Sequence, residues 1–190
     1  GWGYSDVLPY FIKSEDLVPS SEISVDPEAQ GSGGPLGVSV RSPVIPAARD
    51  FVTAAEATGL PKGVYNGRDR GGPAGVSSLF QTTTRKGMRS SSYHAFLEGE
   101  PERRTNLTII THALVTRITL SDEAGAKTAT GIEYRDQTGT VHAITATREV
   151  VLCAGAVGSP QILMLSGIGP RNELEAADVA CLHDLPSHLY

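Results

Sequence analysis

One stretch of the sequence, "REVVLCAGAVGSPQILMLSGIGP" at residues 148–170, constrains the fold of this chain more than any other. The run Val150–Ala154 within it is apolar and does not alternate with polar residues. Such a run is typical of a strand that is buried on both faces. The segment therefore predicts a buried strand, and Cys153 inside it is expected to be a buried, unreactive thiol.

A small-residue turn and a helix follow this predicted strand. At Ala154-Gly155-Ala156 the backbone can approach another group closely because the side chains are small. Ser159 is a suitable N-cap, Pro160 suits the first helical position, and Gly167 ends the helix. A buried strand, a tight turn and an immediate helix form half of a nucleotide-binding βα unit. The same pattern arises where small residues only permit tight packing of strand and helix, and the residues alone leave both interpretations open.

The first half of the chain predicts two amphipathic helices separated by loops. "SDVLPYFIKSEDL" has apolar residues at helical spacing, with Ser5 as the N-cap. "SPVIPAARDFVTAAEATGL" predicts the second helix, with Phe51 in its apolar stripe. Residues 18–37 are rich in Pro, Ser and Gly and predict a loop, whereas residues 65–92 are polar and Gly-rich and predict a surface loop or lid.

Strand-like segments dominate the second half. "NLTIITHALVTRITL" is rich in Ile, Leu, Val and Thr with partial alternation, which indicates a strand within residues 107–120. Two further strand-like runs flank Asp136-Gln137-Thr138-Gly139, where a hairpin is expected. Together the three runs predict a small antiparallel meander.

Charge and hydropathy exclude two classes of partner. The chain has 16 Lys and Arg against 21 Asp and Glu, a net charge of -5, and the two signs are interspersed. This distribution offers no basic face to a nucleic acid or to an anionic membrane. No run of about 18 apolar residues occurs, so no membrane-spanning segment is expected.

Motifs that would identify a site without further information are absent. The sequence has no "GxGxxG" after an earlier strand, no "GxxxxGK[ST]", no "HExxH" and no "GxSxG". The histidines have no metal-ligand spacing, and surface or capping roles are expected for His94, His112, His142 and His183. The glycosylation sequon Asn106-Leu107-Thr108 is relevant only to a secreted chain.

Several segments, in order, resemble the glucose–methanol–choline (GMC) family of FAD-dependent oxidoreductases. "GWGYSDVLPYFIKSED" is similar to the family's Trp-containing segment, and "GSGGPLGVSV" resembles its "HGxGGPLxV" loop, with Gln30 where histidine is usual. "GMRSSSYHAFL" resembles its "xRxSxxxxYL" segment, and "TNLTIITHALVTRI" and "TGIEY" resemble its meander. "EVVLCAGAVGSPQILMLSGIGP" resembles its second signature almost letter for letter. The resemblance covers nearly the whole chain, and within the family the chain is choline dehydrogenase-like.

The resemblance implies a fold between α+β and α/β. It implies a partial FAD-binding, Rossmann-like domain with an antiparallel β-meander, together with part of the substrate-binding or lid region. Residues 1–104 would form the helix- and loop-rich, substrate-facing part. Residues 105–190 would belong to the FAD-binding domain and contain the meander, the buried strand and the helix.

FAD is the cofactor that the resemblance implies. In relatives, backbone atoms of a valine in the first meander strand hold the adenine, and the matching position is Val115. The turn after the buried strand, which matches Ala154 and Gly155, runs beside the cofactor. Backbone N–H and C=O groups can recognise adenine without a particular side chain. An ordinary strand residue at Val115 accounts for the sequence equally well.

The resemblance also implies that the chain is an internal part of a longer enzyme. The family's "GxGxxG" loop would precede residue 1, and its catalytic histidine pair, or histidine and asparagine, would follow residue 190. Relatives continue with "DLPGVGxNLxDH", whereas this chain continues from Pro186 with "SHLY". His188 does not match a catalytic histidine, so no catalytic residue and no metal ligand are assigned.

The implied reaction is the oxidation of a CH–OH group of a small alcohol. A histidine base would take the hydroxyl proton while hydride passes to FAD. One alternative is a hydroxynitrile lyase on the same FAD scaffold, and another is a truncated, non-catalytic product whose exposed strand edges promote aggregation. On its own, the chain is expected neither to bind FAD tightly nor to turn over substrate.

Overall fold

A computed structural model describes most of the 190-residue chain, namely residues 1–69, 71–72, 75–100, 103–123 and 125–185. The chain separates into two compact units, which we call unit 1 (Gly1–Thr108) and unit 2 (Ile109–Tyr190). Both units contain helices and strands.

Unit 1 has three helices and two pairs of short strands among its described residues. In chain order these are α1 (Tyr4–Ser14), β1 (Glu15–Leu17), β2 (Leu36–Val38), α2 (Pro46–Ala57), β3 (Thr84–Arg85), β4 (Met88–Arg89) and α3 (Ser92–Phe96). β1 and β2 pair in parallel, and β3 and β4 pair antiparallel. The buried apolar side chains are small or medium-sized and include Leu17, Val38, Val40, Val44 and Val52.

Helix α1 confirms the first helix prediction but begins earlier than expected. Its N-cap is Gly3, and Ser5 lies inside the first turn, so the expectation of Ser5 as N-cap is wrong. The backbone N–H of Gly3 donates to the carboxylate of Asp6 at 3.0 Å. This acidic side chain in the first turn satisfies a free N–H and carries a charge that the positive end of the helix dipole favours.

Helix α2 confirms the second helix prediction but buries a different face. Pro46 occupies its first turn, where a missing N–H has no cost. Val52 is the buried residue of this helix, whereas the side chain of Phe51 is 74% exposed. The expectation that Phe51 belongs to the buried stripe is wrong, since adjacent helical positions lie about 100° apart around the axis.

Residues 65–92 are largely irregular where they are described, but they end in the β3–β4 hairpin. The buried side chain of Ser90 follows this hairpin and accepts a hydrogen bond from the backbone N–H of Gly37 at 2.9 Å. The hairpin is therefore tied to strand β2 by a side chain-to-backbone bond.

Unit 2 is built around a three-stranded antiparallel sheet of consecutive strands. Its elements are β5 (Leu114–Glu123), β6 (Ala126–Arg135), β7 (Val141–Thr145), α4 (Gly155–Leu165), β8 (Ile168–Gly169), α5 (Arg171–Ala176) and β9 (His183–Asp184). The sheet order is β5-β6-β7, and β8 pairs with β9 in parallel. The predicted hairpin at residues 136–139 is confirmed, with the N–H of Asp136 donating to the carbonyl of Thr140 at 3.0 Å.

The run Val150–Ala154 is not a strand in this structure. It has no sheet partner among the described residues, and the side chain of Val151 is 71% exposed. Cys153 is exposed as well, so the expectation of a buried strand carrying a buried thiol is wrong. A strand exists only where a second strand supplies its hydrogen-bond partners, and the described strands provide none beside this run.

Helix α4 begins five positions before the predicted first residue, Pro160, and includes the small-residue turn. Ala154 is its N-cap and Gly155 its first residue, so Ser159 and Pro160 lie inside the helix. The hydroxyl of Ser159 accepts a hydrogen bond from the N–H of Ala154 at 3.0 Å and so satisfies a donor at the helix start. Gly167 ends the helix as predicted, with φ +79° directly after the C-cap residue.

Candidate functional site

The candidate site in unit 2 lies on β5 and at the beginning of α4, the elements that carry Val115, Ala154 and Gly155. A buried hydrogen bond fixes α4 against β5. The backbone N–H of Ile118 donates to the hydroxyl oxygen of Ser166 at 2.8 Å, and that hydroxyl donates to the carbonyl of Ile162 at 2.6 Å. Since Ile118, Ile162 and Ser166 are all buried, this bond holds the C-terminal end of the helix on the strand without competition from water.

Val115 lies on the open edge of the sheet. It is half-buried in edge strand β5 and stands opposite Tyr134, while Ile118 stands opposite Ile132. Because the N–H of Ile118 bonds Ser166 outside the sheet, Ile118 and Ile132 form a pair without ladder hydrogen bonds. Tyr134 lies two residues after Ile132 in β6, so its backbone N–H and C=O point in the same direction as those of Ile132, away from β5. The N–H and C=O of Val115 therefore point away from β6.

A β-bulge lies directly beside Val115. The register shifts between Val115 and Arg117, which leaves Thr116 without a partner residue in β6. The hydroxyl of Thr116 donates to the carbonyl of Glu133 at 3.2 Å. A bulge bends its strand and changes the direction of nearby backbone groups, and bulges are frequent next to binding sites.

Gly155 has a backbone conformation that favours glycine. Its φ is +84°, and a Cβ at this position would meet no heavy atom within 4 Å. Ala154 before it is exposed, as is Ala156 after it. The beginning of α4 is therefore an open surface of small residues with a left-handed backbone at its centre.

Ala154 and Gly155 are neighbours at the beginning of α4, whereas Val115 lies on β5. Among the described residues, no hydrogen bond joins Val115 to either of the other two. α4 contacts β5 through Ser166 at its C-terminal end, and an 11-residue helix is about 16 Å long. A groove of about 430 Å3 beside Arg117, Ser166 and Leu182 is not lined by any of the three predicted residues.

An ion pair lies next to the bulge. The Nε of Arg117 donates to a carboxylate oxygen of Glu133 at 2.9 Å, across the two strands. The hydrogen bond from Arg117 lowers the pKa of Glu133 from its ordinary value. The pair is exposed, so it fixes the two side chains more than it stabilises the fold.

Unit 1 contains a cavity of about 680 Å3 against helix α1. Its lining includes the apolar residues Val7, Leu8 and Phe11 and the polar residues Glu15 and Gln30. Gln30 is the residue found where the GMC-type loop usually has histidine. It shares the lining with other polar residues, among them Ser14 and Asn66.

The amide of Gln30 is buried and fully engaged. Its Nε2 donates to the carbonyl of Tyr65 and to Oε1 of Gln81, both at 3.1 Å, and its Oε1 accepts from the N–H of Asp26 at 3.0 Å. Gln81 is 9% exposed, and its own Nε2 has no hydrogen-bond partner among the described residues. The two amides thus tie three segments of unit 1 together.

Sequence reasoning missed Ser166 and Gln81. Both bonds link residues far apart in the chain, 48 positions for Ser166 and Ile118 and 51 for Gln30 and Gln81. Ser166 precedes the helix-ending Gly167, and a polar residue between apolar "QILML" and "GI" is the one local signal that could have indicated it.

The described residues contain neither a metal-binding cluster nor a membrane-spanning helix. No group of three or more His, Cys, Asp and Glu side chains within the described residues could hold a metal ion. Within those same residues, every helix is too short or too polar to cross a lipid bilayer. His142 pairs with Asp136 on the β6–β7 hairpin, and His188 lies outside the described residues.

A comparison with known protein families identifies the family of this chain. A profile described as GMC oxidoreductase matches residues 1–186. The chain belongs to the GMC oxidoreductase family.

Individual members of the family agree with this result. The chain is 39% identical over 187 residues to glucose dehydrogenase [FAD, quinone] of Drosophila melanogaster, covering 98% of this chain and 28% of that protein. It is 37% identical to oxygen-dependent choline dehydrogenase of Pectobacterium atrosepticum, covering 97% of this chain and 31% of that protein. It also superimposes on an FAD-dependent oxidoreductase from Chaetomium thermophilum with a TM-score of 0.76 and 31% identity, covering 98% of this chain and 32% of that one.

The GMC match establishes FAD as the cofactor of the family to which the chain belongs. The chain spans about a third or less of the length of these relatives. Its mixed helix and strand content is that of the FAD-binding oxidoreductases it resembles.

Proposed function

We propose that this chain forms part of an FAD-dependent oxidoreductase that oxidises CH–OH groups of small alcohols. Unit 2 contributes part of the adenine side of the FAD pocket, and unit 1 contributes part of the substrate-facing or lid region. The observation that carries this proposal is the uncovered, left-handed Gly155 at the end of an apolar run, in a chain whose family uses FAD.

The apolar run supports a partial Rossmann-like domain. Val150–Ala154 has the composition of a strand buried on both faces, yet Val151 is 71% exposed. An apolar run of this kind gains free energy when neighbouring strands cover it. The run forms no strand in this structure, but if strands of the full-length protein paired with it, α4, which begins directly after it, would complete a βα unit whose turn lies at the carboxyl end of a strand, where open α/β sheets bind ligands.

The backbone at the two predicted positions is suited to a flavin nucleotide. At Gly155, no side chain stands between the backbone and a ligand, and a Cβ would add strain without filling a gap. At Val115, the N–H and C=O point to the open edge of β5, so they are free to form hydrogen bonds with an adenine ring. Both features favour contacts made by main-chain atoms.

The chemistry divides between the cofactor and the protein. Bound FAD would supply the acceptor for the hydride of the alcohol carbon. The residues of this chain would bind and orient the cofactor and the substrate. Backbone groups of Val115 and Gly155 would position the nucleotide, and unit 1 would exclude water from the substrate. We assign no proton transfer to this chain.

The test uses the full-length product of the gene that encodes this chain. We expect it to be purified with bound FAD, and its flavin absorbance to bleach when alcohols are added without oxygen. Bound flavin that no alcohol reduces, together with cleavage of a hydroxynitrile, would contradict the oxidoreductase and support the lyase. The 190-residue chain alone is expected to contain no stoichiometric flavin.

A pair of matched variants tests the role of Gly155. We expect Gly155→Val to lower the ratio of bound FAD to protein, because the new side chain projects into the open space beside the turn. Gly59→Val is the control, since Gly59 also has positive φ (+91°) and no heavy atom within 4 Å of a Cβ, but lies after α2. Equal FAD content in the two variants would contradict the proposed position of the cofactor.

A further inference from the structure

We propose that Asn106 accepts an N-linked glycan when the chain enters a secretory pathway, and that the folded chain holds this glycan on an exposed turn. The proposal is independent of the cofactor and of the reaction. It rests on the sequon Asn106-Leu107-Thr108, which is the single Asn-X-Ser/Thr pattern with X other than Pro in the 190 residues.

The backbone around Asn106 has the form that such sites usually have. Asn106 lies in a turn in which the N–H of Leu107 approaches the carbonyl of Arg104, and neither a helix nor a strand includes it. Residues 103–106 are all exposed, and so is Thr108. A large hydrophilic group attached here would displace no packed side chain.

The two side chains that define the sequon are available. The Oδ1 of Asn106 accepts one long hydrogen bond, 3.4 Å from the Nε of exposed Arg104, and its Nδ2 donates to no other described residue. The hydroxyl of Thr108 has no hydrogen bond to any other described residue. The reacting nitrogen and the hydroxyl that the transferase recognises are therefore both open to solvent.

The polarity of the segment indicates that this surface stays exposed. Arg103, Arg104, Thr105, Asn106 and Thr108 are charged or polar, in contrast to Ile109 and Ile110 directly after them. The two isoleucines are 44% and 48% exposed and would gain free energy from being covered. No such gain applies to the polar segment, so it is the part of this loop that suits a glycan.

The modification is a group transfer without oxidation or reduction. The Nδ2 of Asn106 forms a bond to the anomeric carbon of the first sugar of a lipid-diphosphate-linked oligosaccharide. The bond between that carbon and the diphosphate oxygen breaks, the lipid diphosphate leaves with the electron pair, and the amide loses one proton to a base of the transferase. The product is a neutral glycosylamide on the turn.

The test is to express the full chain behind a cleavable secretion signal in cultured animal cells. We expect one shift in electrophoretic mobility that peptide-N-glycosidase removes, in the cell lysate and in the medium, and a glycopeptide that contains Asn106. Because transfer takes place during chain entry into the secretory pathway, the lysate reports glycosylation even if secretion fails. An unshifted chain in both fractions would overturn the proposal.

Two pairs of variants separate the sequon from general effects on folding. Asn106→Gln should lose the shift completely, whereas Asn172→Gln, at an exposed asparagine of α5 outside any sequon, should keep it. Thr108→Ala should lose the shift, and Thr108→Ser should keep it. A shift that persists in Asn106→Gln, or glycosylated chain that is found only in aggregates while Asn106→Gln stays soluble, would also overturn the proposal.

Discussion

The hydroxyl oxygen of Ser166 lies 2.8 Å from the backbone nitrogen of Ile118 and takes the place of a neighbouring strand at the edge of β5. Edge strands leave every second N–H and C=O without a ladder partner. Here one of these N–H groups is buried, and the side chain that satisfies it comes from the end of the helix packed against the strand. A single hydroxyl therefore couples the sheet of unit 2 to α4.

Replacing Ser166 by Ala should destabilise the chain by about 1–3 kcal/mol, because the buried N–H of Ile118 would lose its partner. The free energy of unfolding, measured by urea denaturation and circular dichroism, checks this expectation. Thr147→Ala is the control, since Thr147 is exposed and should change stability by no more than about 0.5 kcal/mol. Equal free energies of unfolding for the two variants would contradict a stabilising role of the Ser166–Ile118 hydrogen bond.

Gln30→Ala should cost at least about 2 kcal/mol of stability. The substitution leaves the N–H of Asp26, the carbonyl of Tyr65 and Oε1 of Gln81 without their present partner. Urea denaturation again provides the measurement, with Gln137→Ala, at an exposed residue of the β6–β7 turn, as the matched control. A loss confined to about 0.5 kcal/mol would show that water replaces the Gln30 amide.

Features fixed by neighbouring residues could be predicted from the sequence. The hairpin at Asp136–Gly139 depends on turn residues within one short segment, and Gly167 ends α4 through its own φ of +79°. The beginning of α4 depends on more than local signals. Ser159 and Pro160 predicted that the helix begins at Pro160. Ser159 instead lies inside the helix, where its hydroxyl accepts a hydrogen bond from the N–H of Ala154.

Features fixed by distant residues could not be predicted in the same way. Whether Val150–Ala154 forms a strand depends on partner strands, and whether Val52 or Phe51 is buried depends on what packs on α2. The family could be predicted because its motifs are long and specific. The hydrogen bond between Ser166 and Ile118 could not be predicted, because α4 and β5 come into contact only in the folded unit.

Val115→Pro should weaken FAD binding by the full-length enzyme about fivefold, the equivalent of about 1 kcal/mol for one hydrogen bond. The N–H removed by proline points to the open edge of β5, so the ladder with β6 stays intact. Val115→Ala keeps the N–H and should leave the FAD dissociation constant unchanged. Equal affinities for the two variants, measured by flavin fluorescence, would mean that Val115 is an ordinary strand residue.

Asp136 should make the β6–β7 hairpin sensitive to acid. Hydrogen bonds from the hydroxyl of Thr138 at 2.6 Å and from His142 at 2.7 Å hold the pKa of Asp136 well below its ordinary value. A lowered native pKa means that this stabilisation is complete above the unfolded pKa of about 3.9 and is lost as the pH falls below it.

Thr138→Ala tests this dependence because it removes the hydrogen bond that lowers the pKa of Asp136 most. We expect the carboxyl pKa of Asp136, followed by NMR, to rise toward its ordinary value. The melting temperature of the variant should then fall less steeply than that of the unchanged chain below about pH 4. Thr147→Ala, at an exposed threonine outside the hairpin, should leave both quantities unchanged.

Val151→Lys should reduce self-association of the 190-residue chain. Val151 is 71% exposed in an apolar run that has no strand partner among the described residues, and such a run can pair with the same run of a second copy. A lysine there opposes pairing by charge repulsion and by the cost of burying an ammonium group. Light scattering should show onset of association at a several-fold higher concentration than for the unchanged chain.

Val25→Lys places the same charge at an exposed valine in the loop between β1 and β2 and should leave the onset where it was. If both lysines raise the onset equally, a lysine at any exposed position has this effect, and the uncovered run does not control the association.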